Sequence, residues 1–198
     1  MLSEIAKRIR CMKLEKYLHA YEEIFSCMRK SKISILELGV CKGGSMRLWH
    51  EYFTSAEITG VDTSSAHGDL SDVQDRVKIF YGDKTDASFM GRVCDLRGPF
   101  DIIIDDAGHT GNQTRTAFGI LFERLRGGGY YAVEDWGTGY WSRWRDGSEF
   151  RRGHYSGMVG FVKDLVDEAG WDDVTLDTRS SMFEWLRISH GQAIIKKK

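Results

Sequence analysis

Ile33-Ser-Ile-Leu-Glu37-Leu-Gly39-Val-Cys-Lys-Gly43-Gly44-Ser45 is the stretch that decides the architecture. Ile33 to Val40 is an apolar run of strand length broken by Gly39, and Gly43, Gly44 and Ser45 precede apolar residues at helical spacing from Met46 to Phe53. Strand, glycine turn and helix, in that order, open a βαβ unit. The alternation then repeats: Glu57 to Val61 predicts a second strand ending at Asp62, Val77 to Tyr81 a third ending at Gly82-Asp83, and Phe100 to Ile104 a fourth. Thr114 to Leu125 reads as a helix ended by Gly127-Gly128-Gly129, whose left-handed turn leads into a fifth strand, Tyr130 to Val133. Met158 to Ala169 is amphipathic and helical, and Met182 to Ile188 and Ala193 to Ile195 read as two strands joined by a short turn.

Strands alternating with helices predict an α/β fold with a doubly wound, mostly parallel sheet of seven strands, helices on both faces, and an antiparallel strand added by the C-terminal hairpin. Residues 1–30 carry Ile5, Ile9, Leu14, Leu18, Tyr21 and Phe25 at helical spacing and form an N-terminal helical segment ahead of one domain at 31–198. The 198 residues suit a single core, and with one proline, no repeat and no low-complexity tract there is no linker.

A composition of 41% apolar and 29% charged residues with a net charge of −1 describes a soluble globular protein and gives no electrostatic reason to expect nucleic acid. Cys11, Cys27, Cys41 and Cys94 form no Cys-x-x-Cys pair, so neither a zinc module nor a disulfide framework is indicated. No apolar stretch suits a signal peptide or a membrane span, so a cytoplasmic location is expected. The closing Lys196-Lys197-Lys198 reads as a solvated end.

In a doubly wound sheet, ligands sit beyond the carboxyl ends of the strands. Glycines after the first strand let backbone approach a ligand closely, and Asp62 is placed for a pair of ribose hydroxyls, which suits a nucleoside. A nicotinamide dinucleotide prefers Gly-x-Gly-x-x-Gly, a spacing this loop lacks. Glu-x-Gly-x-x-x-Gly-Gly resembles instead the first motif of the S-adenosylmethionine-dependent methyltransferases of Rossmann-like fold. The resemblance implies that Asp62 holds the ribose, Asp83 the adenine amino group, and the loop carrying Glu37, Gly39, Gly43, Gly44 and Ser45 the methionine part.

The fourth strand delivers Asp105 and Asp106 to the carboxyl edge of the sheet, and the fifth delivers Glu134 and Asp135. Carboxylates gathered in a cleft repel unless protonated or neutralised, and an all-oxygen set suits a hard divalent ion, magnesium first, manganese or calcium next. Alternation along a strand sends the Asp105 and Asp106 side chains to opposite sides, so one of the two, not both, is expected at the ion. His109 lies three residues beyond Asp106; imidazole titrates near neutrality and can take the proton of a hydroxyl.

With Gly82-Asp83, Gly98-Pro-Phe-Asp101-Ile-Ile-Ile-Asp105-Asp106-Ala-Gly-His109, Arg126-Gly-Gly-Gly-Tyr130 and Val133-Glu134-Asp135-Trp-Gly-Thr138-Gly-Tyr140, the chain resembles the metal-dependent sugar O-methyltransferases of macrolide biosynthesis, related to the cephalosporin hydroxylase and rhamnosyl O-methyltransferase proteins. The resemblance implies that Asp106, Glu134 and Asp135 hold Mg²⁺ and that His109 is the general base. Some macrolide members carry a large additional N-terminal domain, whereas about thirty residues precede the first strand here. Residues 136–154, rich in Trp, Tyr and Arg without helical or strand period, read either as an acceptor-binding lid, with Trp136 and Tyr140 against a ring-shaped acceptor, or as a loop pinned by its own aromatics or by an oligomer contact.

The expectation is an S-adenosylmethionine-dependent, Mg²⁺-dependent O-methyltransferase acting on a hydroxyl of a sugar, polyketide-like compound or other small natural product. A catechol-type O-methyltransferase and a non-catalytic nucleotide-binding or assembly protein of the same fold are the alternatives, and a homo-oligomer is left open.

Overall fold

A computed structural model describes residues 1–174 and 179–198. Among these residues seven strands, β1 (Ser34–Leu38), β2 (Glu57–Asp62), β3 (Val77–Tyr81), β4 (Phe100–Asp105), β5 (Leu125–Glu134), β6 (Phe183–Ser189) and β7 (Gln192–Lys197), form one sheet in the order β3-β2-β1-β4-β5-β7-β6, mostly parallel and closed by an antiparallel hairpin, the Rossmann-like arrangement expected. The chain divides into two compact units, Met1–Phe100 and Asp101–Lys198. Among the described residues no helix is long and apolar enough to cross a membrane.

In the first unit, β1 (Ser34–Leu38) pairs in parallel with β2 (Glu57–Asp62), and β2 with β3 (Val77–Tyr81). The leading segment is two helices, α1 (Leu2–Ile9) and α2 (Glu15–Phe25). Arg10 takes a left-handed conformation at the end of α1, which stops the helix and turns the chain. Helix α1 packs on α2 and on α3 (Gly44–Tyr52), and α4 (Ala87–Arg97) is capped by the Asp86 side chain, which accepts from the Ser88 and Phe89 N–H groups. Tyr21 stacks on Phe25 at 5.2 Å and meets the edge of Trp49 at 5.5 Å, and all three are fully buried. Burying each such ring is worth roughly 1.5–3 kcal/mol, so the N-terminal helices are part of this core rather than an appendage.

Glu37, in the middle of β1, is also fully buried. One carboxylate oxygen pairs with Lys13 Nζ at 2.8 Å and the other accepts from Trp49 Nε1 at 2.9 Å. The Lys13 side chain is 4% exposed. This ion pair, closed off from water, ties the α1–α2 connection to the strand that carries the glycine loop.

In the second unit, β4 (Phe100–Asp105) is followed by α5 (Gly111–Leu121), β5 (Leu125–Glu134), α6 (Gly157–Ala169), β6 (Phe183–Ser189) and β7 (Gln192–Lys197). Phe118 on α5 touches Phe122, Tyr131 on β5, Phe161 on α6 and Phe183 on β6, which makes it the hub of the core. Burial, and then the charge of Asp105, push the Tyr131 hydroxyl well above its ordinary value and keep it neutral.

The glycine run corrects the sequence reading. Helix α5 ends at Leu121 in a 3-10 turn, Phe122–Arg124, and Gly127, Gly128 and Gly129 lie inside a ten-residue β5 rather than ahead of it. Only Gly128 has a positive φ, +77°. At Gly129 a Cβ would stand 2.9 Å from the carbonyl oxygens of both Arg126 and Asp101, so the absent side chain is what lets the strand run there.

Removing one partner of a buried ion pair leaves an uncompensated charge, at a cost of about 3–5 kcal/mol, whereas removing both can be nearly neutral. Lys13→Met is therefore expected to lower stability by about 3–5 kcal/mol in urea unfolding, and Lys13→Met combined with Glu37→Gln to recover most of that loss. Equal stability of the two variants would refute the coupling.

Candidate functional site

The first unit supplies a glycine-lined cradle. Gly39 (φ +98°), Cys41 (φ +48°) and Gly43 (φ +79°) carry the chain from β1 into α3, with Gly43 as the helix N-cap. At Gly43 a Cβ would lie 2.7 Å from the Leu70 side chain, which would have to shift, and the φ of +79° disfavours any L side chain there. Asp62, at the end of β2, fastens the loop: one oxygen accepts from the N–H groups of Val40 (2.8 Å) and Cys41 (3.0 Å), the other from Ser64 (2.9 Å). Partial burial raises the Asp62 carboxyl, but backbone donors from Ser64, Cys41, Val40 and Thr63 outweigh it and hold the group below the usual carboxylate range. Asp83 is exposed and accepts from the N–H and hydroxyl of Thr85, both at 2.8 Å, which also lowers its carboxyl.

Arg10, Cys11 and Lys13 on one side and Gly39, Cys41 and Ser45 on the other line a cavity of about 200 Å³. That volume suits an amino-acid-sized group, the smaller part of most ligands. Glu37 stands behind the loop with both oxygens engaged by Lys13 and Trp49, so its carboxylate acts on the position of the loop. The alternation of apolar residues carried no sign of Lys13, which sits in a connection between helices.

The second unit supplies the acids. Asp106, His109 and Asp135 bring one ligand atom each within 4.8 Å of one another. His109 Nε2 lies 3.9 Å from Asp106 Oδ1 and 3.8 Å from Asp135 Oδ2, beyond hydrogen-bond length, so a space remains between the imidazole and the two carboxylates. Asp105 is 1% and Glu134 2% exposed, and neither belongs to that group, whereas Asp106, His109 and Asp135 are half-buried.

Backbone conformation aims these side chains. Asp135 has φ +58°, which ends β5 and starts the 3-10 turn Trp136–Tyr140. Gly108 (φ +68°) and His109 (φ +44°) are consecutive left-handed residues, a conformation costing a non-glycine residue about 1–2 kcal/mol unless something holds it. The following loop does so. The His109 carbonyl accepts from Trp144 Nε1 (2.7 Å) and lies 3.2 Å from the Thr138 hydroxyl, whose proton it shares with the Asp135 carbonyl (3.0 Å); the Gly108 carbonyl accepts from Arg145 (3.3 Å), and the Gly111 N–H donates to Asp146 Oδ2 (2.7 Å) at the start of α5.

Residues 138–146 thus brace the histidine turn, a role the sequence did not announce because it runs through main-chain oxygens. Trp136 and Tyr140 are half-buried: their rings meet at 6.1 Å, the Trp136 indole donates to the Ser189 carbonyl (3.2 Å), and Tyr140 packs on Phe150 and on buried His154.

A protein-family model described as a methyltransferase domain matches residues 36–136. A rhamnosyl-tetracenomycin-C 3'-O-methyltransferase of Streptomyces olivaceus is 36% identical over 162 residues, 78% of this chain and 40% of that protein. Mycinamicin VI 2''-O-methyltransferase of Micromonospora griseorubida is 32% identical over 99% of this chain and 52% of its own length. The MycE methyltransferase of the mycinamycin biosynthetic pathway, solved in complex with Mg and SAH, superposes with a TM-score of 0.86 at 31% identity over 99% of this chain and 54% of that one. The chain thus spans about half the length of the curated relatives it matches.

A carboxyl whose folded pKa is depressed contributes stability above its unfolded value, near 3.9 for Asp, and that contribution is lost as pH falls through the folded value. The Asp62 carboxyl resonance should accordingly titrate below about 3.9. Asp62→Asn should flatten the acid limb of the stability–pH profile; a titration at or above 3.9 would remove the loop-fastening role.

Proposed function

We propose that this chain, which belongs to the S-adenosylmethionine-dependent methyltransferases related to the sugar O-methyltransferases of natural-product biosynthesis, methylates a hydroxyl of a sugar carried by a small natural product. The observation that carries the reading is the convergence of Asp106, His109 and Asp135 around a shared space. Two carboxylates with open space beside them match the way Mg²⁺ is usually held, through one or two carboxylates and water. The relatives that methylate sugar positions and the Mg in the MycE complex support the same choice.

When bound, the cofactor supplies a methyl group on a sulfonium and the cation lowers the pKa of a hydroxyl beside it. The residues of the chain do the rest. In the first unit, Gly39, Gly43, Gly44 and Ser45 take the methionine part against the cavity, Asp62 uses its remaining lone pairs for the ribose, and Asp83 serves the adenine. Glu37 keeps its place in this set through the loop it backs.

In the second unit, Asp106, Glu134 and Asp135 would hold Mg²⁺, and His109 Nε2 takes the proton of the acceptor hydroxyl. Trp136 and Tyr140 offer aromatic faces to the acceptor ring. His109 Nδ1 is buried without a hydrogen-bond partner, which leaves Nε2 as the nitrogen facing the carboxylates.

Calorimetry with S-adenosylhomocysteine, with NAD as control, tests the cofactor; binding of NAD alone would end the methyltransferase reading. A screen of glycosylated and free-sugar acceptors with and without Mg²⁺ tests the substrate. His109→Gln should lower kcat by about 10²–10⁴-fold with S-adenosylhomocysteine affinity retained, and full turnover in that variant would remove the base. Trp144→Phe, which deletes one bond to the His109 carbonyl, should lower kcat while KM for the cofactor holds.

A further inference from the structure

The second unit holds a polar side chain that the proposed reaction has not used. Gln192, the first residue of β7, is 1% exposed, and both its amide nitrogen and its carbonyl oxygen are buried without a hydrogen-bond partner. Such an amide is costly to leave unmade, because each of its polar atoms has lost water without replacement. The antiparallel register sets Gln192 directly opposite Glu134. Partners in that position project from the same face of the sheet with Cβ atoms about 4.5–5.5 Å apart, so the amide lies within reach of the Glu134 carboxylate.

The hairpin turn is anchored at the same place. Trp136 N–H donates to the Gly191 carbonyl at 3.3 Å and its indole to the Ser189 carbonyl at 3.2 Å, so the turn before Gln192 is tied to the residue following Asp135.

We infer that Gln192 is a positioning residue of the acidic site: once the divalent cation is bound, its side-chain N–H donates to the Glu134 carboxylate and its carbonyl oxygen accepts from a water or hydroxyl beside the cation. The inference rests on the metal-dependent reading above. An amide suits the task because it is neutral and has both a donor and an acceptor. A lysine would compete with the cation, and a carboxylate would add like charge to Glu134 and Asp135. Groups that orient ligands without touching the metal typically change its affinity by about 10–100-fold when removed.

The test is Mn²⁺ binding followed by electron paramagnetic resonance on the full chain, with thermal unfolding and S-adenosylhomocysteine calorimetry alongside. Gln192→Leu should weaken Mn²⁺ binding by about 10–100-fold, leave S-adenosylhomocysteine affinity unchanged, and leave the Tm of the metal-free protein equal or higher, since there an unpartnered amide is replaced by an apolar group of similar size. If Gln192→Leu does not fold, Gln192→Met, closer to the shape of the original side chain, carries the same measurement. Parental Mn²⁺ binding that is lost in Asp106→Asn but unchanged in the Gln192 variants would overturn this inference alone and mark the amide as one satisfied by a structural water. Absence of Mn²⁺ binding in the parent would overturn the metal-dependent reading and this inference together.

Discussion

The carbonyl oxygen of His109 accepts a hydrogen bond from the Trp144 indole, with the Thr138 hydroxyl shared between it and the Asp135 carbonyl, and the placement of the imidazole in the second unit depends on these contacts. A histidine at φ +44° following a glycine at φ +68° does not hold its conformation unaided. The restraint comes from the segment that continues from β5 through Asp135, so the strand that delivers an acid also sends the brace for the imidazole. Asp146, accepting from the first N–H of α5, fixes the other end of the turn. With both ends held, the imidazole meets Asp106 and Asp135 at separations set by backbone rather than by attraction between the groups.

The first unit solves a similar problem with charge. Asp62 holds the glycine loop through backbone N–H groups, and Glu37 holds it from behind through Lys13 and Trp49. Neither carboxylate is free to relax into water, Glu37 least of all. Preorganisation of this kind lowers what a ligand must spend on ordering the loop. It also explains why the N-terminal helices share a core with α3: the lysine that neutralises Glu37 comes from the connection between them.

Much of this was legible in the chain. Strand β3 runs over the five residues its pattern predicts, and Gly43 caps α3 where the glycine pair suggested a helix start. These follow from periodicity and from the few residues that tolerate a left-handed turn. The glycines at 127–129 misled because glycine signals both a helix end and a strand that passes close to other backbone, and only packing distinguishes the two. The brace on His109 was invisible for a different reason. Its acceptors are main-chain carbonyls, which every residue has, and its donors, Trp144 and Arg145, lie in a segment without period. The partition of the acids was only partly readable: alternation allowed one of Asp105 and Asp106 and the family resemblance pointed to Asp106, but the left-handed Asp135 that joins it to His109 is a backbone event no side-chain pattern announces.

The pairing of β5 with β7 has a consequence for how the protein is made. Tyr130 to Glu134 bond to Lys196 to Gln192, partners separated by roughly sixty residues of chain. As the polypeptide leaves the ribosome, the strand ending in Glu134 has an uncovered edge throughout the synthesis of α6 and β6, and only the emergence of Lys197 seals it. The surroundings of Glu134 are therefore completed only after β7 has been made, and the nascent chain must carry an apolar strand with an open hydrogen-bonding side for several seconds at ordinary rates of translation. Changes in the β6–β7 hairpin thus bear on folding yield as well as on the stability of the finished sheet.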